Sequence, residues 1–339
     1  MPDSLYFAGL DIGGTTIKAV LVDALGQPAS DLVEVRSHGH QGYRKTFAQL
    51  HAALDALCQQ ASIDRSQVAA AGLDVPAPTS HGVIWGKANL SADWVGVNIR
   101  DEFSAELSRP VFMTNDGNAA AFGEWSLRPD HDGPLLFVAP GTGLGGGFVL
   151  PGGMIYEGAN GLAMEIGGLS VPHRDDRGKL PAVQGKVDGA LEGWVSLMAI
   201  RRELEIKLSQ KKYREHPLAI QDSEIAEKAF QLRDYAEQGD TLALEIFGRQ
   251  AHVLGFAMAD QASELDPGLI VIGGGLAETK FRDWFLQEVI QSFEDHAPSF
   301  YVRSPIPPHP PTTRFEWAIG GDGSAALGVA RKAIDLAPS

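Results

Sequence analysis

Apolar residues in this chain follow two periods, and glycine-rich turns mark where one gives way to the other. Residues 5–23 hold two apolar, β-rich runs on either side of Asp11-Ile-Gly-Gly-Thr-Thr16. This predicts a strand, a short glycine turn and a second strand. A third strand is expected over 31–36. From Tyr43 to Gln60 the apolar positions Phe47, Leu50, Leu54 and Leu57 fall three or four apart, the spacing of an amphipathic helix. Residues 68–75 read as an apolar strand closed by Pro76-Ala-Pro78, 94–107 as a loop leading into a helix, and 111–114 as a strand. Asn115-Asp116-Gly-Asn118 then leads into an alanine-rich helix start at 119–125.

The pattern restarts about 130 residues after the first strand, at 135 against 5. Residues 135–139 read as a strand, Pro140 to Gly147 as a glycine turn and 148–150 as a strand. Helices are expected at about 191–208, 223–238 and 241–265, a buried strand at 269–272 ending in Gly273-Gly-Gly275, and a helix at 281–296. The proline-rich stretch 305–311 reads as an irregular loop, and a last helix covers about 323–336. Two α/β halves, each opened by strand, glycine turn and strand, imply two similar domains with a ligand cleft between them.

Composition adds limits. The content of 44% hydrophobic and 21% charged residues is that of a globular protein, and 339 residues exceed what one core usually organises. A formal net charge of −15 repels phosphate backbones and argues against a nucleic-acid partner. It leaves room for a nucleotide, which local N–H groups and a metal can bind. The single cysteine, Cys58, allows no intramolecular disulfide and no cysteine-based zinc site, which fits a reducing cytoplasm. Residues 1–7 lack a basic region and carry Asp3, so they read as the start of a strand and not as a signal peptide. Residues 134–156 carry no charge, but their seven glycines and three prolines could not keep a lipid-exposed backbone paired. They read as buried strands around a glycine loop, so no membrane association is expected.

Several residue groups could carry chemistry. In Asp11-Ile-Gly-Gly-Thr15, the missing Cβ atoms of Gly13 and Gly14 let N–H groups turn toward an anion, and Thr15 and Thr16 add hydroxyls. Asp11 could hold a hydrated Mg²⁺, or be a solvated acid beside an ordinary hairpin turn. Gly141, Thr142 and Gly143 open a second such loop, whose Gly141, Gly143 and Gly146 formally match a dinucleotide fingerprint. That fingerprint requires a helix directly afterwards, and here a strand follows, so a dinucleotide fold is disfavoured. Asp116, between a strand and a helix, could serve as general base on a sugar hydroxyl; alternatively Asp116 or Asn118 caps the helix. Glu165 and Glu192 are candidate acceptors for sugar hydroxyls, and Glu192 also reads as a favourable acid in a first helical turn. Gly274 and Gly275 could admit an adenine ring, or form a plain strand-to-helix turn. The ten histidines show no metal-ligand spacing, and His173 reads as solvated.

Taken in order, these motifs resemble the ROK family of sugar kinases and related repressors over roughly residues 5–332. Asp11-Ile-Gly-Gly-Thr15 and Gly141-Thr-Gly-Leu-Gly-Gly146 resemble its two phosphate motifs. Val75-Pro-Ala-Pro78 with Ala88-Asn-Leu90 resembles its sugar-side segment. Asn115-Asp116-x-Asn118-Ala119, continuing to Gly123-Glu124, resembles its catalytic-base motif, and Glu165-Ile-Gly167 its sugar-binding Glu-Ile-Gly-His. Gly273-Gly-Gly275 and Gly320 to Gly328 resemble its adenosine side. The resemblance implies an α/β fold of two actin-like, ribonuclease H-like domains. The expected bounds are 1–118, with a returning helix at about 322–336, and 119–321. It also implies transfer of phosphate from ATP to a hexose, glucose by default. Fructose, mannose or an N-acylhexosamine are alternative acceptors, and polyphosphate an alternative donor. Asp116 would be the base, Asn89, Asn115, Asp116, Glu165 and Glu192 would bind sugar, and Asp11 would position Mg²⁺ through water. A cytoplasmic homodimer is the implied assembly.

The departures are specific. The histidine of Glu-Ile-Gly-His is Gly168 here, and the family's cysteine-rich motif falls on 183–192, where every cysteine is absent and the final Glu192 remains. No structural zinc is expected, and the loop 172–188 must be ordered by other means or be mobile. A sugar-sensing repressor would carry a helix-turn-helix ahead of the first phosphate strand, which begins here by about residue 5. A sugar-binding protein that has lost catalysis is the remaining alternative of another class.

Overall fold

The computed structural model describes residues 5–88 and 90–337. Its first part runs β1 (Tyr6–Ile12), β2 (Thr16–Asp23), β3 (Val33–Arg36), α1 (Tyr43–Ala61), β4 (Val68–Val75), a small ribbon of β5 (Thr79–Ser80) and β6 (Val83–Ile84), α2 (Ile99–Leu107), β7 (Val111–Asn115) and α3 (Asp116–Ser126). The second part runs β8 (Leu135–Pro140), β9 (Leu144–Leu150), β10 (Met154–Ile155), α4 (Leu197–Leu208), α5 (Pro217–Ile220), α6 (Ile225–Glu237), α7 (Thr241–Leu265), β11 (Leu269–Ile272), α8 (Arg282–His296), α9 (Ser299–Val302), β12 (Arg314–Trp317) and α10 (Ser324–Ala333). The first sheet has the order β3-β2-β1-β4-β7 and the second β10-β9-β8-β11-β12. No helix among the described residues is long and apolar enough to cross a membrane.

The two sheets are opened in the same way. Gly13, Gly14 and Thr15 join β1 to β2, and Gly141, Thr142 and Gly143 join β8 to β9. β1 pairs with β2 antiparallel, with Asp11 opposite Lys18, while β1, β4 and β7 are mutually parallel. This places Asp11 level with Asp74, and Val75 level with Asn115, at the carboxyl ends of three adjacent strands. Carboxyl ends of parallel strands are where α/β sheets bind ligands.

Among the described residues, one compact unit comprises the chain up to Phe137, Gly147–Met164 and the segment from Ile319 onward. Its sheet is covered on one face by α1, whose Phe47, Leu50, Leu54 and Leu57 are fully buried against residues such as Ile12, Ile17 and Leu73. Each such side chain contributes roughly 1.5–3 kcal/mol of burial. On the other face Ala326, Ala330 and Ala333 of α10 meet Phe7, Val20, Val22 and Ala70. The approach is close because glycine permits it: a Cβ on Gly9 would lie 1.9 Å from the Ala326 carbonyl oxygen. α10 meets α3 in the same fashion, where a Cβ on Gly328 would lie 2.1 Å from the Ala119 oxygen.

The second unit comprises Val138–Gly146 and Glu165–Ala318. Its long helix α7 packs along α8, with Leu254, Met258, Phe285, Val289 and Phe293 buried.

Most elements fall where the sequence pattern puts them, and the exceptions have local causes. β9 begins at Leu144, inside the stretch read as a glycine turn. Gly147 belongs to the strand because a Cβ there would lie 2.5 Å from the Gly117 oxygen in α3. The helix expected from 191 starts only at Leu197, where the Ser196 hydroxyl accepts the Ala199 N–H at 3.1 Å. The edge strand β12 had no visible signal: it has four residues, two of them charged, just after a proline-rich loop.

Candidate active site

In the first unit the turn after β1 is closed by the Gly13 N–H donating to the Thr16 oxygen at 2.8 Å, and the Ser37 N–H donates to the Thr15 oxygen at 2.9 Å. Thr15 is exposed at the tip. The structure therefore holds Gly13, Gly14, Thr15 and Thr16 as one short turn beside Asp11. Asn89 lies outside the described residues.

At the end of β7, Asn115 is the residue that caps α3: its Oδ1 accepts the Asn118 N–H at 2.8 Å. Neither Asp116 nor Asn118, the alternatives weighed for a capping role, is the cap. Asp116 is the first residue of α3 and is exposed, with Oδ1 accepting the Gly117 N–H at 2.8 Å. A carboxylate in a first helical turn is stabilised by the unpaired N–H groups there. Among the described residues the Asn115 side-chain NH₂ has no hydrogen-bond partner, so the pair offers a donor and an acceptor side by side.

Asp74 was not singled out from sequence. It is 0% exposed, and its carboxyl faces that of Asp11. Burial pushes its carboxyl well above the usual carboxylate range, and the charges of Asp11 and Asp116 push the same way. Burial raises Asp11 too; Asp74 and Lys18 oppose that rise, and Asp322 adds to it. Lys18 itself lies 3.0 Å from Asp322. The available signal was a single acid inside an otherwise apolar strand, Val68–Val75.

These carboxylates fit magnesium. Mg²⁺ takes oxygen ligands and is commonly held by one or two carboxylates together with substrate phosphates and water. Asp11 supplies a partly accessible carboxylate beside a glycine turn, with Asp74 level with it on the neighbouring strand.

In the second unit the candidates gather around Gly141–Gly143. The Gly141 N–H donates to the Gly143 oxygen at 2.9 Å, and the Leu197 N–H donates to the Gly141 oxygen at 2.8 Å. Glu192 lies directly behind this turn: its Oε2 accepts the Leu144 N–H at 3.0 Å and pairs with Lys186 Nζ at 2.9 Å. A Cβ on Gly143 would lie 2.7 Å from that oxygen, so glycine is what lets the turn rest on the acid. Gly167 packs on the same group, and Glu165 stands exposed two residues before it. After β11, Gly274 has φ of 73° and a Cβ there would lie 2.2 Å from the Pro140 oxygen. Gly274 thus abuts the start of the Gly141 turn, while a Cβ on Gly275 would lie 3.1 Å from the Arg233 guanidinium. The structure groups Gly141, Thr142, Gly143, Glu192, Gly274 and Gly275 in this unit, and Asp11, Gly13, Gly14, Thr15, Thr16, Asn115 and Asp116 in the other.

Sequence comparison bears on this arrangement. The model of the ROK family matches residues 7–335. The chain belongs to the ROK family. A glucokinase of Halalkalibacterium halodurans is 32% identical over 296 residues, covering 86% of each chain. An N-acetylmannosamine kinase of Shigella boydii is 30% identical over 275 residues, 79% of this chain and 83% of that one. Among solved structures, a ROK family glucokinase from Streptomyces griseus in complex with glucose and AMPPNP superposes with a TM-score of 0.74 at 24% identity, covering 97% of this chain and 99% of that one. The fold is the two-domain actin-like fold of ROK sugar kinases.

Within this ROK chain, residues 183–192 supply no thiolate and no imidazole, so they do not fit the family's cysteine zinc motif. Protein groups hold the segment instead. Asp176 pairs with Lys207 at 3.0 Å, accepts Gln210 Nε2 at 2.8 Å and pairs with Arg249. Burial opposes ionisation of Asp176, but these partners outweigh it and hold the carboxyl far below the usual range. His173 is not solvated as expected: its ring packs against Trp194, His252 and Phe256 at centroid distances of 6.2, 5.5 and 5.0 Å. The Val171 N–H donates to the Gly189 oxygen at 3.0 Å, and the Gly189 N–H to the Pro181 oxygen at 2.8 Å.

Proposed function

We propose that this chain transfers the γ-phosphoryl group of ATP to the primary hydroxyl of a hexose, with glucose the first substrate to test and N-acetylmannosamine the second. The observation that carries the reading is Asp116: an exposed carboxylate in the first turn of α3, at the carboxyl end of a parallel strand, beside the amide of Asn115. The glucokinase and N-acetylmannosamine kinase relatives support the reaction class, and the AMPPNP bound to the Streptomyces griseus enzyme supports the donor.

In this reading Asp116 accepts the proton of the attacking hydroxyl while Asn115, Glu165 and Glu192 orient the sugar, with Asn89 as a further sugar ligand. The turns Gly13–Thr16 and Gly141–Gly143 offer backbone N–H groups to the triphosphate, and Gly274 and Gly275 leave room for the adenosine. Asp11, backed by Asp74, would hold Mg²⁺, whose chemistry when bound is to neutralise phosphate charge. Phosphoryl transfer asks little covalent chemistry of a protein; positioning and electrostatics supply most of the rate. A cytoplasmic homodimer, with no nucleic-acid or membrane partner, completes the proposal.

The test is a coupled ADP-release assay with Mg²⁺-ATP and a panel of hexoses and N-acylhexosamines. Wild type should show sugar-dependent turnover, and Asp116→Asn should lose roughly 10²–10⁴ of it. Sugar-independent ADP release, or an unimpaired Asp116→Asn, would end this reading. Sugar binding without turnover would point to a sensor.

A further inference from the structure

Lys186 is a cation where the site needs explaining. Its ammonium lies 2.9 Å from Glu192 Oε2, and that same oxygen accepts the Leu144 N–H of the second glycine turn at 3.0 Å. The side chains of Lys186 and Glu192 are only 25% and 20% exposed. Gly167 makes room for both: a Cβ there would lie 2.8 Å from Lys186 Nζ and 3.2 Å from Glu192 Oε2. Glu192 is thus asymmetric. Oε2 is committed to the lysine and the turn, and Oε1 has no hydrogen-bond partner among the described residues.

A glutamate with three rotatable bonds can accept a hydroxyl well only if its rotamer is fixed before the ligand arrives, since ordering it on binding costs affinity. Lys186 supplies that fixation. The cation on Oε2 also helps keep the carboxylate seated against the Leu144 N–H.

We propose that Lys186 is a positioning residue for the sugar. It acts through Glu192, locking Oε2 onto the turn at Leu144 and leaving Oε1 to accept a hexose hydroxyl. This rests on the hexose-kinase reading above, and the experiment separates the two. Lys186→Met, Lys186→Arg, Glu192→Gln and the double variant Lys186→Met/Glu192→Gln are compared with wild type for hexose KM, ATP KM, kcat and melting temperature. Hexose binding is measured alongside by calorimetry without nucleotide.

Lys186→Met should raise hexose KM and weaken hexose binding about tenfold, the scale of one charged hydrogen bond. ATP KM should stay within about twofold, and melting within about 2 °C, as for a partly exposed ion pair. Lys186→Arg should recover most of the loss, and Lys186→Met should add nothing on Glu192→Gln. A change in ATP KM with hexose KM unmoved would overturn the proposal by moving Lys186 to the phosphate side. An unchanged Lys186→Met, a full additive loss in the double variant, or a fall in melting with hexose affinity intact would overturn it too. Wild type that binds hexose but does not turn it over removes the kinase reading and leaves the calorimetric test of Lys186 standing. Wild type that neither binds nor turns over any hexose removes both.

Discussion

Glu124 is completely buried, at 0% exposure, and every one of its charged contacts is made with protein. Oε1 accepts the Gly320 N–H at 2.9 Å and the Ser324 hydroxyl. Oε2 accepts the Ile319 N–H at 2.9 Å and pairs with Arg128 Nη1 at 2.7 Å. One carboxylate therefore ties α3 to the turn that leads into α10, across 195 residues of sequence. In Glu124→Gln the amide can point either way, but each oxygen serves one backbone N–H. Whichever oxygen becomes NH₂, a buried donor faces a donor. Leaving that N–H unpaired costs roughly 1–3 kcal/mol. Removing the charge that Arg128 lies against brings the total to about 3–5 kcal/mol, the range for breaking one side of a buried pair. Ser324→Ala removes one hydroxyl and should cost only about 1 kcal/mol. Urea denaturation with linear extrapolation reads both values. If Glu124→Gln falls within about 1 kcal/mol of wild type, the carboxylate does not hold these segments and the reasoning fails.

Three further outcomes are expected. Gly328→Ala, which by propensity alone should stabilise a helix by up to about 1 kcal/mol, should instead destabilise by roughly 1–3 kcal/mol. Its Cβ would lie 2.1 Å from the backbone oxygen of Ala119, and backbone cannot step aside; a stabilised variant would contradict the packing. Glu245 shows the acid side of stability. Burial works to raise its carboxyl, but Lys212, Tyr213 and Lys207 outweigh this and bring it from 4.5 down to about 2. A depressed folded-state value contributes stability that is complete above pH 4.5 and is lost as pH falls toward 2. Because a third of this side chain is solvated, the wild-type advantage over Glu245→Gln should be about 1 kcal/mol at neutral pH. Urea melts stepped from pH 7 to 3 should show that gap closing below pH 4.5; a gap that is flat or widens in acid would reverse the assignment. Gly143→Ala should displace Glu192, whose Oε2 would lie 2.7 Å from the new Cβ. Hexose KM should then rise about tenfold, and an unchanged KM would uncouple Glu192 from the turn.

What could be read from the sequence was whatever is encoded locally. Asp11-Ile-Gly-Gly-Thr15 and Gly141-Thr-Gly143 announce themselves because glycine between two β-rich runs has few other uses, and both prove to be three-residue turns between paired strands. The helix Thr241–Leu265 is legible end to end because its apolar period never breaks. Partnerships across distance are not encoded this way. Nothing near Glu124 in sequence points to Ile319, and nothing near His173 points to His252 or Phe256. Asp74 lies between the two cases: its isolation in an apolar strand was visible, but its place level with Asp11 needed the register of β1 against β4.

The glycines link these two kinds of information. Gly13 and Gly143 are read as ligand-binding glycines, yet Gly9, Gly123 and Gly328 are glycine for another reason: helix α10 comes so close to β1 and α3 that no side chain fits. That close packing fixes α3 against the sheet, and α3 begins with Asp116 at the carboxyl end of β7. The exposed Asp116 carboxylate is therefore presented by a closely packed part of its unit. A site carried on packed elements holds its geometry better than one carried on loops. On the proposed reading, sugar choice would instead rest on Glu165, Lys186 and Glu192 and on the segment 172–188, which ion pairs and ring contacts hold in place. Such contacts are individually weak and easily exchanged by substitution. If that reading holds, variation in substrate among relatives should track the residues around 165–192 and leave the surroundings of Asp116 unchanged.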